Sequence, residues 1–143
     1  MNDVDEAGEA VIRRRLGESR VARLATVGVH GKPHVVPVCF VLDGDTIFSA
    51  VDHKPKRTSG LQRLRNIAAN PSVAVLADHY EEDWRTLWWV RADGMARVLV
   101  PGAEAERAID MLVHRYPQYM RQRPGGPVVA ITITRLSGWS ARQ

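Results

Sequence analysis

Residues 21–51 hold three β-rich runs, 21–27, 34–42 and 46–51, with only short turns between them. The separators His30-Gly31-Lys32-Pro33 and Asp43-Gly44-Asp45 each set a glycine beside a charged residue or a proline, which is hairpin chemistry. Strands joined so tightly run antiparallel, because a parallel neighbour needs a crossover of a dozen residues or more. These runs read as a β-meander, and they argue against a doubly wound parallel sheet.

The rest of the chain fits that frame. Ala10, Ile12 and Leu16 put a partial apolar stripe on a short helix over 7–16, stopped by Gly17. Leu61, Leu64 and Ile67 predict a second helix over 59–69, ended by Asn70-Pro71. A strand over 73–77 follows, then a strand pair, 87–92 and 95–100, turning at Asp93-Gly94. Ile109, Leu112, Val113 and Tyr116 recur at i, i+3, i+4 and i+7, the best amphipathic pattern of the chain, and predict a helix over 103–116 that Pro117 ends. Val129, Ile131 and Ile133 alternate with Ala130, Thr132 and Thr134 in a half-buried last strand. The expectation is one mainly β (α+β) domain over 1–143, a small antiparallel barrel with peripheral helices.

Composition narrows the setting. At 143 residues, 45% hydrophobic and 25% charged, the chain has enough apolar material for one core and is not a disordered sequence. No apolar run approaches the roughly 18 residues of a membrane span, and the acidic start Asn2-Asp3-Val4-Asp5-Glu6 lacks the order of a secretory signal. Cys39 is the one cysteine, so no internal disulfide forms. The expectation is a cytoplasmic protein.

The net charge of +4 matters through its placement. Between Asp52 and Asp78 there is no acidic residue, while Lys54, Lys56, Arg57, Arg63 and Arg65 are all cationic. This stretch joins a strand end to a helix start, where unpaired N–H groups and neighbouring Lys and Arg suit a phosphate. A solvated basic loop before an amphipathic helix is the plainer alternative.

In order, Gly31-Lys32-Pro33-His34, Val36-Pro37-Val38, Asp43-Gly44-Asp45-Thr46-Ile47, Lys56-Arg57 and the run from Arg63 to Val73 resemble the pyridoxamine-phosphate-oxidase-like superfamily. Within it the chain is most similar to an actinobacterial branch of F420-dependent enzymes, over residues 20–100 and the final strand with Trp139. The resemblance implies an FMN-binding-type split β-barrel and a homodimer with two cofactor sites at its interface. It implies that Ser49, Ala50 and Val51 line the cofactor's side-chain path through backbone groups. It also implies that Lys54, Lys56, Arg57 and Arg63 hold the phosphate, that Pro37 and Val38 lie beside the ring system, and that Trp88 is an aromatic contributed across the interface. The chain departs from the pattern at Pro37, where relatives often carry a polar residue, and in its longer Lys54-Pro55-Lys56 loop. No C-terminal substrate-binding extension like that of true pyridoxamine-phosphate oxidases is evident, so a vitamin B6 oxidase is not expected.

Coenzyme F420 and FMN share a tricyclic ring, a ribityl chain and a phosphate. The excess cations of residues 54–65 favour F420, whose oligoglutamate tail adds carboxylates, with FMN as the alternative. The expected activity is hydride transfer between this cofactor and a small organic substrate; a non-catalytic carrier or sensor is the other reading. No spacing identifies a catalytic residue, although His79, Tyr80 and Tyr119 are able to donate a proton. Cys39, between Val38 and Phe40, reads as a small core residue. The histidines 30, 34, 53, 79 and 114 show no metal-ligand spacing, so no metal site is expected. Nucleic-acid binding is disfavoured because few aromatics interleave with the basic residues.

Overall fold

The computed structural model describes residues 6–51 and 57–141. Seven strands, β1 (Ala22–Val27), β2 (Pro33–Val38), β3 (Val41–Asp43), β4 (Thr46–Ala50), β5 (Ser72–His79), β6 (Trp88–Val98) and β7 (Val128–Ser140), form one antiparallel sheet in the order β2-β1-β5-β6-β7-β4-β3. Helices α1 (Glu6–Glu18), α2 (Arg57–Ala69), α3 (Ala103–Arg115) and α4 (Pro117–Arg121) surround it.

The expected run over 34–42 is two strands, not one. β2 and β3 lie at opposite edges of the sheet, yet only Cys39-Phe40 separates them in sequence. A two-residue link spans well under 10 Å, so the sheet must curl until its edges meet. This crossover, where a simple meander was expected, makes the sheet a split barrel.

Inward residues fill the barrel. Register aligns Val36, Leu24, Val75, Ala92 and Leu136 in one row across β2, β1, β5, β6 and β7, and all belong to or pack against the main core. Ile12 and Leu16 of α1 and Ile67 of α2 join that core. α3 buries Ala105, Ala108, Ile109 and Leu112. They lie on the opposite side of β4 and β7, against Phe48, Ala50, Val128 and Ala130.

Two sequence expectations change in the β6–β7 ribbon. The turn expected at Asp93-Gly94 does not form, and β6 runs unbroken through it. Gly94 is needed for close approach: a Cβ there would stand 2.5 Å from the Thr132 carbonyl oxygen. Asp93 pairs with Arg135 and Gly94 with Ile133, so Thr134 is the extra residue of a bulge. Its hydroxyl donates to the Asp93 carbonyl at 3.1 Å. The bulge switches β7's inward parity from Val129 and Ile131 to Leu136, which lets the strand continue to Ser140. Asn70 does end α2, but without a left-handed conformation, since no described non-glycine residue has positive φ. Its side chain accepts the Ser72 N–H instead. Among the described residues no helix is long and apolar enough to cross a membrane.

Candidate functional site

The site is built around the Cys39-Phe40 crossover. Tyr116, just past α3, reaches under it. Its hydroxyl accepts the Phe40 N–H at 3.0 Å, and its single proton lies within reach of the Phe40 carbonyl at 2.7 Å and the Arg20 carbonyl at 2.9 Å. Arg115 donates to the Gly17 and Ser19 carbonyls, tying the end of α1 to the same point. Ser49 donates its hydroxyl to the Cys39 carbonyl at 2.8 Å, and Ala50 packs against Leu112 and Tyr116. Val51 gives its N–H to the Pro127 carbonyl at 2.8 Å. Ladder alternation therefore turns the main-chain groups of Ala50 to the other edge, facing the crossover where β3 has not yet begun.

Pro117 starts α4 and sends Tyr119 back over this corner, edge-to-face with Tyr116 at 5.7 Å between centroids. Arg20, Val21, Cys39, Tyr116, Gln118 and Tyr119 line a cavity of about 570 Å³. Cys39 is therefore half-buried: it packs against the Ala50, Leu112 and Tyr116 cluster, as a core residue would, and also lines this cavity. Burial pushes its thiol up from the ordinary value, opposed by a hydrogen bond from Tyr119 and by the charge of Arg115. Arg63 is only 9% exposed, and its Nε has no hydrogen-bond partner. Burial pulls the guanidinium down from its usual range, and attraction to Tyr119 pushes it back up. A buried, incompletely paired cation is costly unless an anion meets it.

A second cavity of about 400 Å³, lined by Arg14, Arg15, Asp78, His79 and Trp88, shares Arg20 and Val21 with the first. The Arg15 guanidinium sits 5.1 Å over the Trp88 ring, and His79 stacks on that ring at 6.3 Å.

The crossover thus gathers Ser49 and Ala50 with the main chain after Val38, and the charge of Arg63 acts on Tyr119 beside it, whereas Val51 is in the main core with its N–H turned to Pro127 on the other edge. Val38's side chain is in the core, and Pro37 lies exposed on the outer face of β2. Trp88 lies in the adjoining cavity. Lys54, Lys56 and the side chain of Arg57 fall outside the described residues. Tyr116 appeared in the sequence only as an apolar helix position, and Arg20 not at all. A polar-tipped aromatic at the end of an amphipathic stripe was the available signal for Tyr116. Among the described residues no group of three His, Cys, Asp or Glu side chains is placed to hold a metal ion.

Comparison with known proteins adds three likenesses. Over 99 residues the chain is 31% identical to the 5a,11a-dehydrotetracycline/5a,11a-dehydrooxytetracycline reductase of Streptomyces rimosus, covering 67% of this chain and 68% of that one. An FAD-binding protein of Mesorhizobium loti superposes with a TM-score of 0.69 at 22% identity, covering 90% of this chain and 91% of that one. The heme storage protein HutZ of Vibrio cholerae gives 0.68 at 17% identity, covering 96% and 95%. The pattern of the pyridoxamine 5′-phosphate oxidase family matches residues 9–140. With nearly the whole chain matched, and with its split antiparallel barrel, the protein belongs to the pyridoxamine 5′-phosphate oxidase family.

Proposed function

We propose that this chain is an oxidoreductase that moves a hydride between coenzyme F420 and a small organic substrate, at a site shared by two copies of the chain. The observation that carries this reading is Arg63. A buried guanidinium with an unpartnered Nε, near enough to Tyr119 to feel its charge and within a stretch without acidic residues, fits an anionic group such as a cofactor phosphate. When bound, the cofactor supplies the two-electron chemistry. Arg63, with Lys54, Lys56 and Arg57, would hold the phosphate; the main chain at Ser49–Val51 and after Val38 would orient the rest; Trp88 would bound the adjoining cavity. The likeness to a dehydrotetracycline reductase supports an activated double bond as the substrate class.

The barrel interior is filled by side chains, so a tricyclic ring must bind outside it. The outer face of β2, β1, β5, β6 and β7 exposes Val35, Leu76 and Trp139, with Pro37 and Trp89 beside them, and among the described residues no helix packs over them. A second copy covering this face would complete the cleft. The same reading places the protein in the cytoplasm, where Cys39 stays a free thiol.

FMN is the second reading, favoured by the fold's likeness to an FAD-binding protein. A fluorescence-quenching titration of the four tryptophans with F420 and, in parallel, FMN discriminates the two. Tight saturation by F420 with a weak FMN response is expected. The reverse assigns the protein to FMN, and no saturation by either removes the redox reading.

A further inference from the structure

We infer that Asn66 is the positioning residue of the anion site: clamped to Thr26 and given room by Gly28, it fixes the rotation and depth of α2 and so presents Arg63. This rests on the reading above of Arg63 as the group that meets a cofactor phosphate. Among the described residues of α2, Arg63, Asn66 and Ile67 are buried, with Leu64 partly buried beside them. Arg63 and Asn66 stand at i and i+3, one turn apart on one face of the helix. Two of the three buried positions are therefore polar, although apolar side chains of similar shape would pack against the sheet at no loss of stability.

The polar contact is complete. Asn66 is 2% exposed and Thr26, on the inward side of β1 with Ala22 and Leu24, is 1% exposed. Asn66 Nδ2 donates to the Thr26 hydroxyl oxygen at 3.0 Å, and Gln62 Nε2 donates to Asn66 Oδ1 at 2.7 Å. A Cβ on Gly28 would stand 2.9 Å from Asn66 Oδ1, and the φ of Gly28 is not positive, so glycine serves there to admit the amide. A buried amide paired on both sides tolerates little displacement: shifting α2 by one residue would leave it and the Thr26 hydroxyl without partners. The contacts of Leu64 and Ile67 are not directional and would survive such a shift. The clamp thus sets the register of α2. Arg63 needs that constraint. Its Nε has no hydrogen-bond partner, and turning α2 toward solvent would relieve the buried charge. Holding Asn66 keeps Arg63 in place before the anion arrives, which removes the cost of ordering it on binding.

The test uses Thr26→Val, which keeps the shape and removes the acceptor of the Asn66 amide, Thr26→Ser, which keeps the acceptor, and Arg63→Ala. Affinities are read by tryptophan quenching for two matched pairs, F420 with its phosphate-free deazariboflavin and FMN with riboflavin, on variants shown to be folded by urea denaturation. For whichever phosphorylated cofactor saturates the wild type, T26V is expected to weaken binding roughly 10-fold and T26S to restore it. The phosphate-free member should bind T26V and wild type alike, and in the R63A background T26V should cost less than about twofold. An equal loss for both members of the pair, or with and without Arg63, would make Asn66 a part of the fold alone and overturn the inference. Unchanged affinity in T26V beside a weakened R63A would overturn it while leaving the phosphate reading of Arg63 intact. Undiminished affinity in R63A would overturn that reading and the inference with it, as would a wild type that binds neither phosphorylated cofactor. Should T26V fail to fold, Gly28→Ala crowds the same amide, and unchanged affinity there overturns the inference.

Discussion

The two halves of the barrel treat their outer faces differently. On β3, β4 and the first part of β7 the outer residues Phe48, Ala50, Val128 and Ala130 are buried under α3, whose Ala105, Ala108, Ile109 and Leu112 match them. On β2, β1, β5, β6 and the last part of β7 the outer rows run Pro37–Arg23–Leu76–Arg91–Ser137 and Val35–Ala25–Ala74–Asp93–Arg135, half apolar and, among the described residues, without a helix over them. The covered half is closed by its own helix, whereas the bare half carries apolar surface that none of the described residues covers. The cavity of Arg20, Cys39, Tyr116 and Tyr119 lies at the seam where the two edges meet. A site at that seam draws rigidity from one half and leaves its mouth open for a ligand or a second copy.

The largest effect should fall in the covered half. Leu112 is fully buried between α3 and the crossover, and Leu112→Ala is expected to cost about 2–5 kcal/mol in urea denaturation. Tyr116→Phe removes the hydroxyl that serves Phe40 and Arg20 and should cost about 1–3 kcal/mol, with faster hydrogen exchange at the Phe40 amide. On the bare half, Leu76→Ala is expected to change the stability of the isolated chain by no more than about 0.5 kcal/mol. Leu76→Glu, with like charges meeting in the proposed two-fold interface, should shift the species seen in size-exclusion chromatography with light scattering to the monomer. A costly Leu76→Ala in dilute protein, or an unchanged mass for Leu76→Glu, would break the contrast between the halves.

The smallest effect is read at Cys39. Its raised pKa leaves less thiolate at a given pH than a free cysteine has, so the rate of iodoacetamide labelling should rise with pH later than for a model thiol. Tyr119→Phe removes an influence that lowers this pKa, so labelling at fixed pH should slow further and the profile should move to higher pH.

Much of the fold was legible where the signal is local. Hairpin turns at Gly31 and Gly44, both with positive φ, and the apolar stripe of α3 depend on neighbours within a few residues. The resemblance proposed Ser49–Val51 and Arg63 as site residues from one stretch of sequence, and of these the described residues set Ser49 and Ala50 at the crossover and bury Arg63. What depends on a distant partner was not legible. Asp93-Gly94 has the composition of a turn, and only the approach of Thr132 shows why glycine stands there within a strand. Residues 34–42 have the alternation of one strand, and only the far edge of the sheet shows that Cys39-Phe40 is a crossover. Cys39 reads as core and packs as such, but only Tyr119, eighty residues later, supplies the opposite wall of the cavity it also lines.

The most direct test of this account labels the one cysteine with iodoacetamide, with and without saturating F420. A ligand at the seam is expected to slow the labelling of Cys39 with the same concentration dependence as the tryptophan quenching. Full quenching with unchanged labelling would place the cofactor elsewhere and contradict the assignment of the crossover cavity as the functional site.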